Sequence, residues 1–271
     1  MKNYGLFLLA FCTIVSSYTA TAQKLPVKVI SLVIPGEDGK NAASVVWHPT
    51  QKKYYTSMIG NSVYPMAIFD AKGNLIKNEF EAGQDLRGMW YNPVSKQIEF
   101  NCYDEGGWGH FELDKSGYIT EVKIDVEGMT QPSAQSVGIY YKPGNKVLFL
   151  DEDYVAVTYG ITSRENSKTL TPVYPGCSTK EEADELTPDD IIEKMEERNM
   201  SLQYTGLAKA ELALLNVDQR KIELYDEKTG LVTRAISLPE NIKLELSFNF
   251  CYNNGIWWFF DKETRTWLGY K

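Results

Sequence analysis

Short apolar and aromatic runs alternate along this chain with turns rich in Pro, Gly, Asn and Asp, a pattern of strands and hairpins rather than helices. Four of the runs rhyme: Val45-Val46-Trp47-His48-Pro49, Gly88-Met89-Trp90-Tyr91-Asn92-Pro93, Gly138-Ile139-Tyr140-Tyr141-Lys142-Pro143 and Phe248-Asn249-Phe250-Cys251-Tyr252-Asn253. Each is followed by a tight turn and a second apolar run, which predicts a β-hairpin. Pro93 lies 44 residues beyond Pro49, and Pro143 lies 50 beyond Pro93, a spacing found in repeat architectures.

The second repeat shows its strands most plainly, over Leu86 to Asn92, Gln97 to Tyr103, Trp108 to Leu113 and Tyr118 to Val126. Its last turn, Asp114-Lys115-Ser116-Gly117, recurs as Asp70-Ala71-Lys72-Gly73 and Asp226-Glu227-Lys228-Thr229-Gly230. Gly is expected there because the chain needs a positive φ to reverse. A first repeat runs from Ser44 to about Phe80, and a third opens at Ser136 with strands expected over Lys146 to Leu150, Val155 to Thr162 and Lys168 to Val173. The fourth is disguised by Gln203 to Lys209, and the fifth, from Leu244, has only three strands before the chain stops. Its missing outer strand is expected at the other end of the protein. Val27 to Pro35 shares Ile-Ser-Leu with Val232 to Pro239 and would complete the last sheet, closing a ring without long free edges.

With these repeats the chain resembles the β-propeller superfamily in its loose NHL-like and YVTN-like forms, without the Gly-His and Trp-Asp signatures of WD repeats. The resemblance implies an all-β, five-bladed propeller and leaves activity open. One stretch stands outside it. Ser178-Thr179-Lys180-Glu181 has the spacing of a capping box, and Thr187-Pro188-Asp189-Asp190 is a second helix start. A short α-helical insertion is therefore expected over about 176–200, between blades three and four, either as a lid over the channel or as a rim decoration.

Residues 1–22 read as a secretory leader: basic Lys2, an apolar run from Gly5 to Val15, and Ala20-Thr21-Ala22 as the cleavage site. The expected mature domain is 23–271, exported to the periplasm, cell surface or medium. Cleavage would remove one basic residue and no acid, moving the net charge from −8 to −9. So acidic a surface disfavours nucleic acid and anionic membrane as partners. Cys102, Cys177 and Cys251 remain, an odd set without metal-ligand spacing, with Cys177 expected in an exposed loop.

No catalytic signature stands out. The two histidines, His48 and His110, lie in different repeats, and His48 is expected at the repeat position of Tyr91 and Tyr141 as a packing or turn residue. The expected binding surface is one face of the disk, where Arg87, Asp104, Gln135 and Asp151 surround the channel mouth and Tyr64, Trp108 and Tyr154 occupy loops joining second to third strands. Aromatic faces beside polar groups suit a carbohydrate, peptide or protein ligand. No cofactor is indicated; calcium at Asp151 and Asp153 is the one cation the acids would suit, although their spacing matches no hand-type loop. The alternative is a secreted glycoside hydrolase or lyase using Asp38 and Asp85, since sugar cleavage needs two opposed carboxyl groups.

Overall fold

A computed structural model of the protein describes residues 26–170 and 172–271; the leader expected over 1–22 lies outside the described residues. Strand β1 (Lys28–Val33) comes first and pairs antiparallel with the last strand of the chain. Blade one follows as β2 (Asn41–Ala42), β3 (Val46–His48), β4 (Lys53–Ile59), β5 (Pro65–Asp70) and β6 (Leu75–Glu81). Its inner strand is split, because β2 and β3 each pair with part of β4. Blade two is β7 (Leu86–Asn92), β8 (Gln97–Cys102), β9 (Trp108–Leu113) and β10 (Ile119–Val126), and blade three is β11 (Ile139–Tyr141), β12 (Lys146–Leu150), β13 (Ala156–Gly160) and β14 (Asn166–Thr169). Helices α1 (Lys180–Asp184) and α2 (Pro188–Glu196) precede blade four: β15 (Gln203–Leu207), β16 (Ala210–Asn216), β17 (Lys221–Tyr225) and β18 (Val232–Ser237). Blade five is β19 (Phe250–Asn253), β20 (Ile256–Asp261) and β21 (Thr266–Tyr270), with β1 as its outer strand, in the order β1-β21-β20-β19.

The protein is thus an all-β propeller of five blades. Its repeated turns follow from their side chains. Asp114 Oδ1 accepts the backbone N–H groups of Ser116 and Tyr118, and Asp70 Oδ1 those of Lys72 and Asn74. Each carboxylate folds the chain over itself, and Gly117 and Gly73 complete the reversal at φ of 77° and 86°, where a Cβ would be strained. The cores lie between blades. Phe100 and Phe111 pack against blade one, Tyr54 meets Trp258 edge-on at 5.3 Å, and Trp257 stacks on Phe250 toward blade four. Neighbouring tryptophans on β20 therefore serve two different blade junctions, as the two-residue period of a strand demands.

Several boundaries differ from the expected ones. The third blade's outer strand ends at Thr169, and its neighbour ends at Gly160, where a turn with Arg164 at φ 57° reverses the chain. The inner strand of blade five begins at Phe250, two residues into the rhyming run Phe248 to Asn253. The first capping box is formed by Thr179 and Glu182, one residue later than the Ser178 spacing suggests, and the second by Thr187 and Asp190. Cys177 is buried, since its loop is fastened to the edge of blade four by Val232 N–H donating to the Cys177 carbonyl at 2.7 Å.

The insertion is a wedge at the junction of blades three and four. Met195 and Ile191 of α2 pack with Leu150, Leu212 and Tyr225. Beyond the helix, Arg198 is 3% exposed and grips Glu223, itself 0% exposed, with Nε to Oε2 at 2.8 Å and Nη2 to Oε1 at 3.0 Å. No residue of α1 or α2 lines either cavity at the ends of the channel. Among the described residues no helix is long and apolar enough to cross a membrane.

Candidate functional site

The channel has two ends of different chemistry. One opens among the loops that join second to third strands and blade to blade, and the other among the inner hairpin turns. At the loop end, a cavity of about 270 Å³ is lined by Gln135, Ser136, Asp151, Glu152, Ser201 and Phe248. Arg87 is buried beside it. Its Nε donates to Gln135 Oε1 at 2.8 Å and its Nη1 to Asp85 Oδ1 at 2.8 Å, while Tyr103 and Phe248 lie against the guanidinium at 4.4 and 5.5 Å. Arg87, Gln135 and Asp85 are thus brought together at one mouth, but the guanidinium is spent on its neighbours. Phe248 and Asn249 both hold positive φ, 54° and 58°, fixed in part by Asn199 Nδ2 donating to the Phe248 carbonyl at 2.7 Å.

The other residues expected on this face scatter. Trp108 is 0% exposed: it opens β9 and faces the junction with blade three, between Trp90 and Phe149, with its indole N–H given to Gln131 and Arg164 over its ring. None of its surface is left for a ligand. Asp104 is exposed in a 3-10 turn at φ 49°. Tyr154 packs against the blade three and four core at φ 59°. Tyr64 lines a separate cavity of about 350 Å³ with Asp38 and Arg265, between blades five and one.

The carboxylates are largely occupied. Asp85 accepts from Arg87 and from the Gly60 backbone at 2.7 Å, and lines neither the cavity containing Asp38 nor the inner-turn end. The Asp38 and Asp85 pair of the hydrolase alternative does not flank a common cavity. Asp151 Oδ1 accepts the backbone N–H groups of Asp153 and Val155, the work of a turn residue. Among the described residues no group of three or more His, Cys, Asp or Glu is arranged to hold a metal ion.

His48 is buried, and burial lowers its pKa, so the neutral ring can accept the Gln51 N–H through Nδ1. By register it matches Asn92 and Tyr141 rather than Tyr91, since His48 pairs with Lys53, Asn92 with Gln97 and Tyr141 with Lys146. At His110, burial alone would lower the pKa, but Asp125 at 3.0 Å and Glu112 at 3.3 Å outweigh it and raise it.

The inner-turn end holds a cavity of about 290 Å³ that the sequence reading did not single out. Each blade contributes one half-buried aromatic residue to its wall: Trp47, Tyr91, Tyr140, Tyr204 and Tyr252. Four of them occupy one repeat position, paired with Tyr54, Ile98, Val147 and Trp257 across the inner hairpin. Gln203, Asn253 and Asn254 add amides, Ser44 and Cys251 lie deeper, and no charged side chain lines the space. The strands are drawn together by side chains that accept inner-strand N–H groups. Asn253 Oδ1 takes that of Trp47 at 3.0 Å, Gln203 Oε1 that of Tyr252 at 2.8 Å, and Cys251 Sγ that of Val45 at 3.2 Å.

No protein-family model matches the chain, and no curated protein matches it at a significant level. Among solved structures, a gluconolactonase from Xanthomonas campestris is similar at 10% identity with a TM-score of 0.45, covering 93% of this chain and 88% of its own. A protein of unknown function from Bacteroides thetaiotaomicron is similar at 11% identity with a TM-score of 0.45, over 88% of this chain, which spans 60% of that protein's length.

The hydroxyls at the aromatic mouth are unspent. Among the described residues the phenols of Tyr91, Tyr140, Tyr204 and Tyr252 and the indole N–H of Trp47 have no protein hydrogen-bond partner, and none is among the buried atoms left without one. Burial raises the phenol pKa of Tyr140, Tyr204 and Tyr252, so all three remain protonated donors at neutral pH. The Cys251 thiol is pushed up to about 12 by burial, which leaves it without thiolate character.

Proposed function

We propose that the protein is an exported, non-catalytic binding propeller whose ligand docks at the aromatic mouth among the inner hairpin turns. The observation that carries this reading is the convergence of five half-buried aromatics, one per blade, with unspent polar tips and no charged side chain between them. Aromatic rings are costly to leave half wet, and a concave apolar wall with a few convergent polar groups is the ordinary form of a ligand pocket. The lining suits an uncharged ligand, because an ion brought there would lose hydration without gaining a counter-charge. The leader-like residues 1–22 support export.

The test is a fragment screen by ligand-observed NMR on the mature chain and on Trp47→Ala. Uncharged fragments that bind the natural protein and lose their signal with the variant support the proposal. Fragments whose binding ignores Trp47→Ala but is abolished by Gln135→Ala would move the site to the loop end and refute it.

A further inference from the structure

The arrangement of faces and hydroxyls at the aromatic mouth narrows the ligand class, and this step rests on the binding site proposed above. We infer that the mouth takes a single neutral pyranose ring. A pyranose presents apolar C–H faces above and below and hydroxyls around its rim, so it needs aromatic surface and radially placed hydrogen-bonding groups together. The mouth offers both, since each of the five aromatics brings a ring wall and an unspent O–H or N–H from a different blade. Asn253 adds a third kind of group: its Oδ1 accepts the Trp47 backbone N–H, and among the described residues its amide N–H₂ has no partner.

Competing ligand classes fit less well. An extended peptide would dock by pairing with strand backbone. Here the inner-strand N–H groups of Val45, Trp47 and Tyr252 are already donated to side chains. A planar heteroaromatic would use the ring walls but leave most of the surrounding hydroxyls desolvated and unpaired, which costs affinity. A uronic acid would bring a carboxylate to a wall with no cation. The cavity, about 290 Å³, lies just below the range for ligand pockets, roughly 300–1,000 Å³. One ring is therefore accommodated rather than an extended oligomer.

The experiment is a titration of the mature chain with methyl glycosides of glucose, galactose and mannose, followed by intrinsic tryptophan fluorescence and saturation-transfer NMR. Glucuronate, adenine and a neutral tetrapeptide form the comparison arms. At least one methyl glycoside is expected to bind, with glucuronate weaker by about ten-fold or more. Tyr252→Phe and Tyr140→Phe, which keep the ring and the fold, should each weaken the sugar by roughly three- to ten-fold through loss of one hydroxyl. Trp47→Ala should weaken it by more than about ten-fold. Adenine or the tetrapeptide binding in a Trp47-dependent manner while no glycoside binds would overturn the pyranose assignment and leave the binding site standing. Glycoside binding unchanged in Trp47→Ala, Tyr140→Phe and Tyr252→Phe would overturn both.

Discussion

Arg198 ties the helical wedge to blade four through a buried ion pair, and replacing it tests how the wedge is held. Arg198→Met keeps the aliphatic stem but removes the fork that meets Glu223 at 2.8 and 3.0 Å. Removing one member of a buried ion pair costs about 3–5 kcal/mol, because the other charge is left desolvated and uncompensated. The lower end, about 3 kcal/mol, applies here, since the Lys221 ammonium at 3.1 Å and the Tyr225 hydroxyl still reach the carboxylate. For a domain of this size that is a fall in Tm of about 6–12 °C.

The pH dependence gives the stricter test. Burial alone would raise the pKa of Glu223, but the hydrogen bonds and charge of Arg198 outweigh it and hold the carboxyl below its ordinary value. Its ionised form therefore contributes stability above the unfolded carboxyl pKa of about 4.3, and that contribution fades as pH falls. In the variant burial prevails, the folded pKa rises above the unfolded one, and the penalty grows as pH rises. The gap between natural and variant proteins should be widest near neutral pH and shrink toward pH 4. Thermal unfolding by circular dichroism at several pH values reads it. A gap below about 1 kcal/mol, or one unchanged between acid and neutral pH, would refute the reasoning. Arg198→Met with Glu223→Gln, which keeps an acceptor for Tyr225, should recover more than half of the loss.

Gly88→Ala would set a Cβ at 2.3 Å from the Gly138 carbonyl oxygen and 2.4 Å from its nitrogen, backbone atoms just before the neighbouring inner strand that cannot step aside. A loss of about 3 kcal/mol or failure to fold is expected in urea unfolding. Removal of residues 26–35 strips β21 of its outer partner and uncovers the core around buried Leu32 and Ile34, so the melting temperature should fall by far more than for an ordinary tail. A thiol reagent at mildly alkaline pH should leave Cys102, Cys177 and Cys251 unmodified until the chain is unfolded. All three are buried, and burial pushes Cys102 and Cys251 up to about 12.

The blade architecture was legible because turns and alternation are local. Asp114 and Gly117 bring their reversal with them wherever they occur, and the helical wedge announces itself by Thr187, Pro188 and Asp190. What sequence reading lost was register. Trp108 is separated from an exposed loop by a single residue, yet a one-residue step on a strand turns a side chain from one face to the other, and the step here faces the core. His48 aligns by sequence with Tyr91 but by register with Asn92, the same one-residue step, and this conceals the match of Trp47 with Tyr91, Tyr140 and Tyr252. The burial of Cys177 is not legible in its Gly-Cys-Ser loop for another reason, because it depends on a backbone bond to Val232, far away in sequence.

That slip matters for where specificity is sought. Loops that do not repeat are the natural place to expect function in a repeat protein, since the repeated residues are occupied in building the ring. Here the same inner-strand position does both. Aromatics there pack on a blade junction, as Tyr91 does against His48 of blade one at 4.7 Å and Tyr140 does with Trp90 and Trp108 of blade two, and they also line the mouth of the channel. A five-fold ring narrows toward its axis, so side chains that pack blade to blade at the inner strands also converge on one another across it. Substitution at this position should therefore separate into two effects. Loss of the ring weakens both junction and mouth, whereas loss of only the phenol oxygen, as in Tyr140→Phe, leaves the packing whole and changes the mouth alone.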